Sequence, residues 1–209
     1  PDASKGFRPN CTLPVTDVQS PPAFVDVRPW HGEPAPDPRN ETMAFAGVTT
    51  CELSLSSPRV SWHACRTLEP PVADFEACWA AALAGAPRPT EDVGDFTRLP
   101  GSGNVWREVD PGGTLEEEWE RLDDGGGRLL AARRGSALLC VAGNTFGVAD
   151  DCGARGPDLT GPRYVAGRVA AGDGVPPWCV DSATVAAMEG HPLVLPGSAS
   201  EWTSLPGCT

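Results

Sequence analysis

Between Ala137 and Val169 the chain reads ALLCVAGNTFGVADDCGARGPDLTGPRYVAGRV. Two short apolar runs flank Cys140 and Cys152, and a third, RYVAGRV, alternates its side chains as a half-buried strand does. The spacing predicts two or three sheet strands, stapled by disulfides and separated by acidic turns. The same punctuation recurs along the whole chain. With 24 Gly and 23 Pro in 209 residues, a helix breaker falls every few positions, which favours short strands and many turns. The expected fold is therefore mainly β, with enough apolar sequence for one core. It is read as a single domain, 1–209, preceded by a Pro-rich N-terminal arm over 1–42.

Eight cysteines, Cys11, Cys51, Cys65, Cys78, Cys140, Cys152, Cys179 and Cys208, form no CxxC pair, so disulfides in an oxidising compartment are the simpler reading than a zinc site. Their number allows about 105 pairings. Two glycosylation sequons, at Asn10 and Asn40, agree with secretion. No run approaches the roughly 20 apolar residues of a membrane span, and Pro1 reads as a mature or trimmed end. The expected protein is extracellular. Its net charge of −12, from 28 acids and 16 bases, makes nucleic acid a poor partner and a basic protein or a cation a better one.

Further elements follow from periodicity. Ala23–Val27 reads as a first strand. Cys51, Leu53 and Leu55, then Val60, Trp62 and Ala64, alternate with polar neighbours around a turn at Pro58. Phe75, Cys78, Trp79, Ala82 and Leu83 recur at helical spacing between Asp74, a capping residue, and Gly85. A second helix is expected from Thr114, where Thr114 and Glu117 form a capping-box pattern ahead of Trp119 and Leu122. A short third is expected over 181–189.

No catalytic set stands out. His31, His63 and His191 are isolated, there is no GxSxG elbow, and Gly125-Gly126-Gly127 lacks the Lys-Ser/Thr of a phosphate loop. No cofactor or metal is expected. Adjacent carboxylates at Asp123-Asp124 and Asp150-Asp151 are candidates for a hydrolase pair by proximity alone; neighbouring Asp residues more commonly build turns. Among seven tryptophans, Trp106 and Trp178 lie in Gly- or Pro-rich surroundings that suit a protein-binding anchor.

Three stretches in order, AFAGVTTCELSLSS at 44–57, VADFEACWAAAL at 72–83, and CVAGNTFGVADDC with GPRYVAGRV over 140–169, resemble the poxvirus CC-chemokine inhibitor family. The resemblance implies a disulfide-stapled two-sheet β-sandwich with one or two short helices. It also implies a viral decoy, without catalysis, that binds host chemokines on one open sheet face for immune evasion. By position, Glu91, Asp92 and Asp95 resemble the family's acidic cluster and Tyr164 its late-strand tyrosine, a candidate ligand contact. The bland alternatives are a solvated turn for the acids and a core position for Tyr164. Residues 12–43 lack the family's long acidic loop, holding only Asp17, Asp26, Glu33, Asp37 and Glu41. That difference keeps open a sister group of the same fold that binds granulocyte–macrophage colony-stimulating factor (GM-CSF) and interleukin-2, although its WSxWS-like motif is missing here. A secreted carboxylate-dependent hydrolase is the alternative from another class.

Overall fold

The computed structural model describes residues 16–20, 22–29, 43–52, 57–68, 72–86, 91–101, 105–114, 116–120, 129–150, 163–169, 178–193, 195 and 197–206. The protein is a two-sheet β-sandwich. The first sheet is an antiparallel meander of seven strands in chain order: β1 (Thr16–Ser20), β2 (Ala23–Arg28), β3 (Met43–Glu52), β4 (Arg59–Thr67), β5 (Glu91–Arg98), β6 (Val105–Val109) and β7 (Glu116–Glu120). The second comprises β8 (Leu129–Arg134), β9 (Ala137–Ala142), β10 (Thr145–Asp150), β11 (Arg163–Val169), β12 (Trp178–Ala183) and β13 (Thr203–Ser204). Its strands lie in the order β12-β11-β10-β9-β8-β13.

Alternate residues of each strand face opposite ways, and this sorts the apolar side chains into two layers. Val18, Val25, Val27, Ala46 and Val48 of the first sheet meet Leu138, Cys140, Ala149, Tyr164 and Ala166 of the second. At Gly147 an added Cβ would lie 2.8 Å from Val25 Cβ, so the glycine is what lets the sheets approach there. The far face of the second sheet carries Leu139, Val141, Phe146, Val148 and Val165, covered by Met188, Leu193, Leu195 and Trp202. Both faces are thus dry, and each fully buried Val or Phe contributes about 1.5–3 kcal/mol. This corrects the half-buried reading of RYVAGRV, whose first five residues are all buried. It also places Trp178 against Phe146, with ring centroids 5.1 Å apart, as packing rather than as a partner's anchor.

The expected helix forms as α1 (Phe75–Leu83), capped by Asp74, which accepts from the Ala77 N–H at 2.9 Å. At its other end Ala86 N–H donates to Ala81 and Gly85 N–H to Ala82, with Gly85 at φ 69°. This is the paired closure that a left-handed glycine permits. The buried face, Cys78, Trp79 and Ala82, packs on β3 and β4.

Two helix expectations fail. The segment from Thr114 is not helical: Glu116–Glu120 is β7, paired with β6 in the register Glu108↔Glu117 and Trp106↔Trp119. The Thr114 hydroxyl is spent on Asp110, at 3.1 Å, in a turn with Gly113 at φ 68°. Turn chemistry and period-two burial of Glu117 and Trp119 outweigh the capping pattern. Over 181–189 the strand β12 continues to Ala183, leaving one 3-10 turn at Ala186–Met188. Nor is the described part of 1–42 an appendage, because β1 and β2 supply Val18, Val25 and Val27 to the core.

No disulfide joins two described residues. Cys51 is an exposed thiol, Cys179 a half-buried one, and the Cys78 thiol donates to the Ala64 carbonyl at 3.5 Å. Cys65 and Cys140 lie in the inter-sheet core. The expected staples at Cys11, Cys152 and Cys208, and the sequons at Asn10 and Asn40, lie outside the described residues.

Candidate functional site

The face of the first sheet turned away from the second is charged where a sandwich surface is ordinarily mixed. A narrow hollow there is lined by Asp17, Asp26, Arg28, Phe45, Trp62, Asp92, Glu108, Glu117 and Trp119. All seven strands from β1 to β7 contribute at least one of these side chains. In a flat sheet β2 and β7 would stand roughly 24 Å apart at the usual strand spacing. The Arg28 guanidinium nevertheless lies 5.9 Å from the Trp119 ring, so the sheet curls tightly around this face.

Strand parity explains how the residues meet. Asp26 and Arg28 alternate with the core residues Val25 and Val27 on β2, and Asp17 stands directly across from Asp26. Glu108 and Glu117 are a cross-strand pair. A Cβ at Gly94 would lie 2.3 Å from Glu108 Oε1, so the bare glycine on β5 provides the space in which the Glu108 side chain lies.

Among the described residues, five carboxylates and the Arg28 guanidinium therefore line one hollow. Arg28 grips Asp26 through Nε at 2.9 Å and Nη2 at 2.8 Å and lies 5.2 Å from the centre of the Phe45 ring. Burial alone would lower the Arg28 pKa, but the Asp26 charge and hydrogen bonds more than reverse it. Asp17 is pushed up to about 7, first by burial and then by the charge of Asp26. Glu108, which accepts from Trp119 Nε1 at 2.6 Å, is pushed up to about 8 by burial and by Glu117. Asp92, at the exposed rim, is raised by partial loss of hydration. Two carboxyls of the hollow thus hold protons near neutral pH, the expected response to crowding like charges at low dielectric.

Two polar atoms in the wall lack a partner: Asp17 Oδ1 and the indole Nε1 of Trp62. Trp62 is 5% exposed. Its N–H lies close enough to Asp17 to ease that carboxyl's ionisation, without hydrogen-bond geometry. Among the described residues no group of His, Cys, Asp and Glu is arranged to hold a metal ion.

The sequence candidates divide. Asp92 joins the hollow. Asp95, three residues on, faces the other way and pairs with Arg59 at 2.7 Å in exposed surroundings. Glu91 opens β5, and its side chain lies outside the described residues. Both described acids stand on a strand rather than in a turn. Tyr164 is 0% exposed in the inter-sheet core, which corrects its reading as a ligand contact; burial pushes its phenol up, and Arg66 only partly opposes this. Trp106 is half-buried on β6 opposite Trp119.

Asp17, Asp26, Arg28, Glu108, Glu117, Trp62 and Trp119 were not singled out together by sequence. The readable signal was AFVDVR, in which an acid and an arginine alternate with valines that must be buried. Charges locked opposite a core face by strand parity face something other than bulk water only if the sheet curls, and curl is not written in one strand. Comparison with protein-family models, curated proteins and solved structures finds no match.

Proposed function

We propose that this protein is a secreted viral decoy that captures a basic host signalling protein, a chemokine, through the acidic hollow and its rim. The observation that supports this best is the acidic lining of one concave face, where the described residues bring five carboxylates and Arg28 together, in a chain of net charge −12. Such a field raises encounter rates with a cationic partner and suppresses others. The ordered resemblance over 44–57, 72–83 and 140–169 points the same way. The surface differs from the open platform expected, because the acids converge in a curled sheet and leave Asp92 at the mouth.

Titrating the purified protein against a chemokine panel and against GM-CSF separates the two members of the superfamily reading. Chemokine binding with an on-rate that falls about tenfold as salt rises from low to physiological strength is the expected result. Failure to bind any chemokine at micromolar concentration overturns it, and binding of GM-CSF alone selects the sister function.

One feature favours a hydrolase as a second reading: Glu108 holds a proton near neutral pH beside other carboxyls, as a general acid does. The hollow has room for little more than a water molecule, against roughly 300–1,000 Å³ for ordinary ligand pockets, which disfavours a sugar ring. Turnover of a glycoside substrate that Glu108→Gln abolishes would select this reading. The pair Asp150-Asp151 does not support it, since Asp150 is held bidentately by Arg163.

A further inference from the structure

Two orphaned polar atoms stand beside each other in the wall of the hollow, Asp17 Oδ1 and Trp62 Nε1. Trp62 is 5% exposed and its ring leans on Phe96, with centroids 5.6 Å apart, so the indole N–H is held in place there. An indole nitrogen can only donate. What Asp17 offers in return depends on its proton. Its other oxygen, Oδ2, accepts from the Gln19 side-chain amide, which leaves Oδ1 as the hydroxyl when the carboxyl is neutral. Donor then faces donor, and this accounts for closeness without a bond. With the proton gone, Oδ1 is an acceptor and the same approach becomes a charge-assisted hydrogen bond.

We propose that Asp17 and Trp62 form a proton-governed latch: loss of the Asp17 proton lets the Trp62 N–H donate to Oδ1 and ties β1 to β4 across the hollow. β1 is the edge strand of its sheet and pairs there with β2, so the new bond joins strands that are not neighbours and tightens the curl. The face closes as it gains negative charge. This follows from the two side chains, whatever the face binds.

Among the described residues, the charged groups that share the hollow with Asp17 are Asp26 and Arg28 from β2, Asp92 from β5, Glu108 from β6 and Glu117 from β7, while β3 and β4 bring Phe45 and Trp62. The strands β8, β9 and β10 of the second sheet pack on the opposite, Val18 face of β1. Burial and then the Asp26 charge push the Asp17 carboxyl up to about 7, against the partial opposition of Gln19, Arg28 and Trp62. The latch should therefore engage as pH rises from ~6 to ~8. Glu108 loses its proton in a neighbouring range, at about 8, but it is bonded to a different indole, that of Trp119, so the two titrations have separate reporters.

The isotope-labelled full chain is followed through its indole N–H resonances from pH ~5.5 to ~8.5, a range that brackets the expected midpoint. The expected result is a downfield move of the Trp62 indole proton, identified by its loss in Trp62→Phe, with a midpoint at about 7. Asp17→Asn is near-isosteric and has no proton to lose, so it should abolish that move. Glu108→Gln should abolish the Trp119 titration and leave the Trp62 one in place. If thermal melting shows that Asp17→Asn does not fold, the Asp17 carboxyl carbon is titrated directly in the wild type and in Trp62→Phe. Loss of the indole donor should raise its midpoint by about one pH unit. A Trp62 resonance that stays in place over the whole range, one that still titrates in Asp17→Asn, or an Asp17 midpoint unmoved by Trp62→Phe overturns the latch.

Discussion

Replacing Arg163 by methionine should lower the unfolding free energy by about 3–5 kcal/mol, the range seen when one partner of a buried ion pair is removed. Arg163 and Asp150 close the β10–β11 ladder as directly paired residues. Nε and Nη2 each reach a carboxylate oxygen at 2.7 Å, with side chains 10% and 1% exposed. The substitution strips a buried carboxylate of its guanidinium, and that desolvated charge, more than the lost attraction, sets the size of the effect. Adding Asp150→Asn should recover a large part of the loss, which a double-mutant cycle in urea measures. A loss below about 1 kcal/mol for Arg163→Met would mean that the pair is not a structural clamp.

Glu108→Gln should behave in the opposite sense and only above a certain pH. The folded protein holds the Glu108 proton up to about 8, against an ordinary value of 4.5. Folding therefore binds the proton more tightly than the unfolded chain does, and stability falls as pH rises through that interval. For a side chain 3% exposed, the wild type should lose on the order of 3 kcal/mol relative to the glutamine variant between pH ~5 and ~9. Near pH ~4 and below, where Glu108 is largely protonated in both states, the two should be similar in stability. Denaturant unfolding at several pH values checks this, and parallel stability curves would contradict it. A carboxyl that weakens the fold at neutral pH is costly as a purely structural residue, whereas groups with displaced ionisation gather at working sites.

Local pattern carried much of the fold. The helix was legible because Asp74, the apolar stripe from Phe75 to Leu83, and Gly85 agree with one another. The strands β9 to β11 were legible because short apolar runs lie between turn residues, even though burial on both faces hides their alternation. β1 was missed because Pro14, Pro21 and Pro22 surround five residues of mixed character. The strand β7 was misread because a run of glutamates with a capping pattern looks like a helix start, while the competing hairpin turn at 110–114 draws its stability from Asp110 and Gly113. The hollow was the least legible part. Its members are spread from Asp17 to Trp119, and only the closure of seven strands brings them together. Acid content pointed to a basic partner, and of the acids singled out whose side chains are described, Asp92 lines that surface while Asp95 pairs with Arg59 instead.

The most direct test is the association rate of a strongly basic chemokine with the wild type and with Asp92→Asn/Glu117→Gln, measured at low and at physiological ionic strength. The expected result is fast wild-type association at low salt, slowed about tenfold by salt and to a similar degree by the double substitution, with the folded content unchanged. Association that is absent, or indifferent to both salt and the loss of these two charges, would contradict capture by the acidic face.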